Sequence, residues 1–297
     1  MAGATVFLRG SITAAASAAA LSLLAGGAGA TPPPPPDITL QGYVSGAWLT
    51  SPGTIPNWQA AGLSGQGTVW LAPMWSAQFD ATIAGTWRYR PEPDGLILQR
   101  STIVGAHINA RDPNRGLFGV FGGAGNIAYF TTGSDNIAFG GLEGQAYLGN
   151  VTLYGQAGAM GEFSGSVLPI YYASDIWFAQ VTARFFVDPN TKLEGTVGYL
   201  QGLEFGAPNG DSGMHQFTFS AEAEHRFTMS PLSVFARFEG VTDPGFFNGE
   251  RPLLTYAASL GIRVRFGRKT LLDDDRSGTT LTLPTFQSVN AARGIAD

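Results

Sequence analysis

Between residues 37 and 267 apolar and polar side chains alternate at period two, in runs of ten residues or more. That is the periodicity of an extended chain, whose successive side chains point to opposite faces. Residues 38–48 carry Ile38, Leu40, Val44 and Trp48 on one face and Thr39, Gln41, Tyr43 and Ser45 on the other. Residues 215–227 set Phe217, Phe219, Ala221, Ala223 and Phe227 against Gln216, Thr218, Ser220, Glu222, Glu224 and Arg226. Residues 76–88 and 254–266 repeat the pattern. Strands of soluble domains average about 5–6 residues, whereas a tilted strand crossing a bilayer needs about 9–11. These runs have the membrane length, with one face suited to lipid and the other to water.

The same rule places strands near 38–48, 65–73, 76–88, 100–111, 116–126, 137–149, 151–161, 176–187, 191–201, 215–227, 232–240 and 254–266. Their connections alternate in length. Short ones (73–75, 112–115, 149–150, 188–191, 228–231) follow every second strand, and two of them read Asp-Pro-Asn, a type I turn sequence. The others (49–64, 89–99, 127–136, 162–175, 202–214, 241–253) are longer. An open sheet in lipid would leave edge N–H and C=O groups unpaired, so the strands must close on themselves. The expected fold class is all-β: a closed antiparallel up-and-down transmembrane β-barrel of about twelve strands. In such barrels the short turns are periplasmic and the long loops external, and an even strand number puts both chain ends on the periplasmic side. Outward Trp48, Trp87, Trp177, Tyr199, Phe217 and Tyr256 then form an outer aromatic girdle, and Phe185, Phe227 and Phe266 a periplasmic one.

The ends of the chain read differently. Arg9, an apolar run from Ile12 to Leu24 and the small residues Ala28-Gly29-Ala30 predict a signal peptide over 1–30, cleaved after Ala30. Residues 31–36, TPPPPP, predict a stiff polyproline spacer, followed by the barrel over 37–267 and a polar periplasmic tail over 268–297. Asp273-Asp274-Asp275 in that tail reads as a solvated charge run rather than a metal site. Without Arg9 the chain has 16 basic against 22 acidic residues, a net charge of −6, which argues against nucleic acid as a partner. The absence of Cys excludes a lipidated cysteine anchor. Charged residues are only 13% of the chain, against about 25% in soluble domains, as a lipid-facing surface requires.

Long dyad segments such as Glu143-Gly144-Gln145-Ala146-Tyr147-Leu148-Gly149-Asn150-Val151-Thr152-Leu153-Tyr154-Gly155-Gln156, and the strand Leu260-Gly261-Ile262-Arg263-Val264-Arg265-Phe266, carry a resemblance. Over residues 38–267 the chain resembles the porin-like outer-membrane β-barrel proteins of Gram-negative bacteria. The resemblance implies outer-membrane lipid as the surroundings and the barrel insertion machinery as an assembly partner, reading a terminal aromatic such as Phe266. Here that aromatic is internal, with residues 267–297 beyond it.

Parity then assigns a lumen. It receives Asp80, His107, Arg111, Glu143, Gln145, Gln156, Arg184, Lys192, Glu194, Glu222, Glu224, Arg226, Arg237, Glu239, Arg263 and Arg265. The short turns place Glu222 opposite Arg237 and Arg184 opposite Glu194, pairs that brace a wall or shape the field in a channel. Twelve strands lie between filled eight-strand barrels and open sixteen-strand porins, so the bore is narrow. The expected function is a passive or weakly selective channel for small hydrophilic solutes. The alternatives are a non-conducting structural or surface-binding barrel and an envelope lipase. Catalysis is not expected, because no Ser matches His107, His215 or His225 in parity and height. No cofactor is expected either, since Gly122-Gly123-Ala124-Gly125 and Gly140-Gly141 open no helix.

Overall fold

The computed structural model describes residues 36–49, 58–90, 95–128, 134–164, 172–205, 212–243 and 253–284. The signal peptide expected over 1–30 and all but the last residue of the spacer lie outside them, as do parts of all six long connections. Twelve strands follow in chain order: β1 (Asp37–Leu49), β2 (Trp58–Ala72), β3 (Trp75–Arg90), β4 (Gly95–Asp112), β5 (Gly116–Ala128), β6 (Ser134–Leu148), β7 (Val151–Ser164), β8 (Tyr172–Asp188), β9 (Thr191–Phe205), β10 (Ser212–Arg226), β11 (Leu232–Asp243) and β12 (Leu253–Phe266). Each pairs antiparallel with its sequence neighbours, and β1 pairs with β12 from Ile38↔Phe266 to Leu49↔Thr255. No edge remains, as closure in lipid demands.

The outer wall is apolar. Leu260 is 65% exposed and Val197 64%, and Leu40, Val44, Leu153 and Val181 are exposed beside them. At the long-loop end Tyr199 packs between Trp177 and Phe217, with ring centroids 5.2 and 4.9 Å away, and Phe238 stacks on Tyr256 at 5.6 Å. Phe185, Phe227 and Phe266 are exposed at the short-turn end. Such pairs contribute about 0.5–1.5 kcal/mol each beyond their buried area.

Two expectations are corrected. The strands reach further toward the long loops than alternation indicates: β2 begins at Trp58, not 65, β4 at Gly95, not 100, and β9 runs to Phe205, past 201. Beyond the bilayer no lipid enforces alternation, so main-chain pairing continues without its sequence signature. The second correction concerns the tail, described as far as Pro284, which folds into the barrel instead of trailing from it. Gly267, at φ +124°, turns the chain sharply after β12; a Cβ there would lie 1.8 Å from Asp37 Oδ1. A short helix, α1 (Leu271–Ser277), then crosses the short-turn mouth, capped by the Thr270 side chain, which accepts from the Asp273 N–H. Leu272 N–H donates to Pro189 O in the β8–β9 turn at 3.0 Å, and Arg276 Nη2 to Gly149 O in the β6–β7 turn at 2.8 Å. From Gly278 to Pro284 the chain runs up the lumen, where Leu281 is 0% exposed. The tail is not uniformly polar: Leu271 and Leu281 are buried.

Candidate functional site

Sixteen residues are assigned to the lumen from parity. Twelve of them are buried, while Lys192, Glu194, Arg237 and Glu239 are half-buried. The side-by-side pairing of β8 to β12 brings most of the charged ones together.

Glu222 lies opposite Arg237, with Arg237 Nη2 2.6 Å from Glu222 Oε2, because the turn between β10 and β11 sets that register. Arg263, one strand further, grips Glu222 through both terminal nitrogens at 2.6 and 2.8 Å and also reaches Glu224. Arg265 donates to Glu224 and, through Nε, to Asp274 of α1 at 3.0 Å. Lys192 Nζ sits 3.0 Å from Glu194, 3.5 Å from Glu222 and 3.4 Å from Glu224. Arg184 bridges Glu194 at 3.0 Å and Asp275 of α1 at 2.8 Å. Five cations of the wall thus meet three of its carboxylates plus Asp274 and Asp275. The tail adds two carboxylates to five cations that share three on the wall, which matters because an unpaired buried charge is strongly destabilising. The expected solvated acidic run is therefore corrected: Asp274 and Asp275 are each 5% exposed, and only Asp273 faces water. Burial pushes the Asp274 carboxyl above its ordinary range against the pull of Arg265.

A second cluster forms where β3, β4 and β6 face the lumen. The His107 ring is fully buried, with Nε2 2.9 Å from Asp80 Oδ2 and Nδ1 2.8 Å from Glu143 Oε1. Both nitrogens face carboxylates and neither faces a hydroxyl, so the ring is not placed to activate a nucleophile. His215 and His225 lie on the outward parity of β10, beside Tyr199 and Thr191. Glu143 also accepts from Tyr154 Oη at 2.8 Å and Gln156 Nε2 at 3.3 Å. Gln145 Nε2 donates to Thr280 Oγ1 of the tail at 3.2 Å. Arg111 lies near the short-turn end and donates to Gly278 O at 2.8 Å, while Arg226 Nε donates to Ser230 O in its own turn at 2.9 Å.

The inner face is not wet throughout, as alternation suggested. In its long-loop half Ile103, Phe121, Ile127, Ile137, Phe139, Met160, Ile176, Phe178 and Leu200 form one buried cluster on β4–β9, and Leu283 of the tail packs against it. Gly105 makes room for that leucine: a Cβ there would lie 2.6 Å from Leu283 Cδ2. Below, Leu281 sits with Leu117 and Tyr154. Tail and wall leave a cavity of about 190 Å³ whose lining includes Tyr43, Asp80, Arg237, Glu239 and Leu281.

Sequence reasoning missed Gln66, Gln78, Thr152, Tyr154 and the two buried aspartates. The first four share the inward parity of their strands, so the same signal was present for them. For Asp274 and Asp275 the only local sign was Thr270 three residues before Asp273, a helix start.

No known family and no curated protein matches the sequence. Solved structures do match it. An outer membrane channel from Pseudomonas putida F1 superposes with a TM-score of 0.56 at 13% identity, covering 80% of this chain and 97% of that one. The translocator domain of the autotransporter NalP from Neisseria meningitidis gives 0.45 at 12%, covering 78% and 88%. A KdgM porin in complex with disordered oligogalacturonate gives 0.45 at 7%, covering 77% and 99%. The likeness is one of fold, that of porin-like outer-membrane β-barrels.

Proposed function

We propose that the protein is an outer-membrane channel for small hydrophilic solutes, closed at its periplasmic mouth by its own C-terminal segment. One observation carries the reading: a closed barrel, apolar outside, has a charged inner wall whose short-turn half is filled by residues 268–284. Those residues are held through ion pairs and hydrogen bonds more than through apolar packing, as suits a segment that leaves and returns. Bilayer lipid of a Gram-negative outer membrane is the surroundings the exposed leucines and valines call for. Residues 1–30 serve as a cleaved export signal, and the barrel insertion machinery reads the strand ending at Phe266. No catalytic role, cofactor or nucleic acid enters this account.

A second reading, a non-conducting structural barrel, draws on the apolar cluster around Phe121 and Phe178, which fills part of the long-loop half. Planar-bilayer recording of the refolded full chain separates the two. In Leu281→Asp a carboxylate replaces a fully buried leucine beside Leu117 and Tyr154, which expels the tail. Brief, rare conductance steps in the parent and sustained steps in this variant are expected. Silence from both overturns the channel reading in favour of the structural one.

A further inference from the structure

The wall holds the tail in part by its main chain. Trp70 Nε1 donates to Ser277 O at 3.3 Å, Arg111 Nη1 to Gly278 O at 2.8 Å, and Gln156 Nε2 to Thr282 O at 2.8 Å. At Leu281 the Gln78 side chain donates Nε2 to the carbonyl at 2.8 Å and accepts the N–H on Oε1 at 3.2 Å. Gln66 Nε2 donates to the same carbonyl at 3.0 Å. One primary amide thus satisfies both main-chain groups of one residue, as a neighbouring β-strand does. That pairing is chemically selective. A side-chain amide offers a donor and an acceptor in a fixed arrangement that complements a peptide's C=O and N–H, whereas a sugar hydroxyl rotates and fixes no such pair.

Tail side chains are read as well: the Thr279 hydroxyl meets that of Thr39, and the Thr280 hydroxyl accepts from Gln145 and Arg184. Leu281 fills the Leu117–Tyr154 niche and Leu283 meets the apolar cluster above it, the alternate positions of an extended chain. On the N-terminal side Arg184 and Arg265 meet Asp275 and Asp274. With the tail out, these two guanidiniums would lose acidic partners, and the amides of Gln66, Gln78 and Gln156 would lose carbonyls.

We propose that this inner wall is a binding site for extended peptides with an acidic N-terminal flank and alternate apolar residues, occupied in cis by the tail. The proposal rests on the channel reading for access from the aqueous side, and it names the class of solute that the lumen recognises. The main-chain contacts set an extended backbone, and the side-chain contacts ask for the acidic flank, small hydroxyl residues at the positions of Thr279 and Thr280, and the two leucine-sized positions.

The test uses full-length Leu281→Asp, whose site is vacated, in detergent, with its folded state verified by heat-modifiable gel migration. The probe is a fluorescent peptide of residues 273–284, followed by anisotropy. Saturable binding is expected, at least about tenfold tighter than to the parent chain, whose site is already filled. Gln78→Leu in the same background, or N-methylation of the peptide at Leu281, weakens it about tenfold by removing the amide pair. An unrelated peptide that keeps two acidic residues and the alternate leucines competes, and a neutral oligosaccharide of similar length does not. Absence of saturable binding, or indifference to N-methylation, overturns the peptide site. Should Leu281→Asp not fold, Leu283→Asp vacates the site from the other leucine. Conductance is read separately: binding without conductance steps overturns the channel and keeps the peptide site, and steps without binding do the reverse.

Discussion

Asp275→Ala should release the tail from the barrel. The Asp275 carboxylate, buried in the short-turn half of the lumen, accepts from Arg184 Nη1 at 2.8 Å, Thr152 Oγ1 at 2.5 Å and Thr280 Oγ1 at 3.0 Å. Breaking a buried ion pair from one side costs about 3–5 kcal/mol. Arg184 keeps Glu194 at 3.0 Å, so the lower figure, about 3 kcal/mol, applies. That shifts the ratio of released to seated tail by about a hundredfold. The assay exploits a chain without cysteine: Leu281→Cys places a lone thiol in the buried niche, and its rate of reaction with a maleimide follows the released fraction while reclosing is fast. Adding Asp275→Ala should raise that rate about a hundredfold with the barrel still folded, whereas exposed Asp273→Ala should leave it unchanged within about threefold. A rise of less than about threefold for Asp275→Ala would refute the claim that this ion pair seats the tail.

Glu224→Leu strips two guanidiniums and the Ser233 hydroxyl of a shared acceptor and should lower stability to urea by about 3–5 kcal/mol; a loss below about 1 kcal/mol contradicts the network. Leu260→Arg places a charge on the lipid face and should cost about 2–4 kcal/mol on refolding into vesicles; an unchanged refolding midpoint would count against a membrane-facing wall. Acidity should hold the tail in place through Asp274. Its carboxyl, facing Arg265, Arg226, Glu224 and Asp275, has a raised pKa when seated, so the seated tail takes up a proton that the released tail binds less readily. This stabilisation grows as pH falls through the raised pKa and is absent well above it, so thiol exposure at position 281 should slow on acidification. Asp274→Asn should remove that part of the pH response, and a response unaltered by it would assign the effect elsewhere.

The barrel was legible because lipid and water impose opposite demands on alternate residues, and every strand crossing the bilayer carries that demand in its own sequence. Pairs joined by short turns were legible for the same local reason: Glu222–Arg237 and Arg184–Glu194 follow from counting outward from a hairpin. The height at which residues from separate strands converge was not. His107, Asp80 and Glu143 come from β4, β3 and β6, and parity aimed all three inward without showing that one ring joins the two carboxylates. Majority polarity also misjudged the lumen: Ile103, Phe121, Phe139 and Phe178 have inward parity but make an apolar layer. Gly123 permits this layer, since a Cβ there would lie 2.5 Å from the Phe139 ring. The tail was least legible. The cationic wall partners of its acids are Arg184 and Arg265, and the Leu281 carbonyl is met by glutamines some two hundred positions away in sequence, so apart from the helix start at Thr270 little local distinguishes it from a solvated end.

The central claim, that residues 278–284 lie inside the barrel, is tested most directly by cross-linking. The Thr39 and Thr279 hydroxyls are hydrogen-bonded to each other across 240 positions of sequence, one on β1 and one on the tail. In the otherwise cysteine-free chain, Thr39→Cys with Thr279→Cys should form a disulfide on mild oxidation of the folded barrel, seen by non-reducing gel and peptide mass. Val44→Cys with Thr279→Cys should not, because Val44 faces outward on the same strand. Near-complete cross-linking of the first pair alone is the predicted result; a folded barrel in which neither pair, or both equally, cross-links would contradict it.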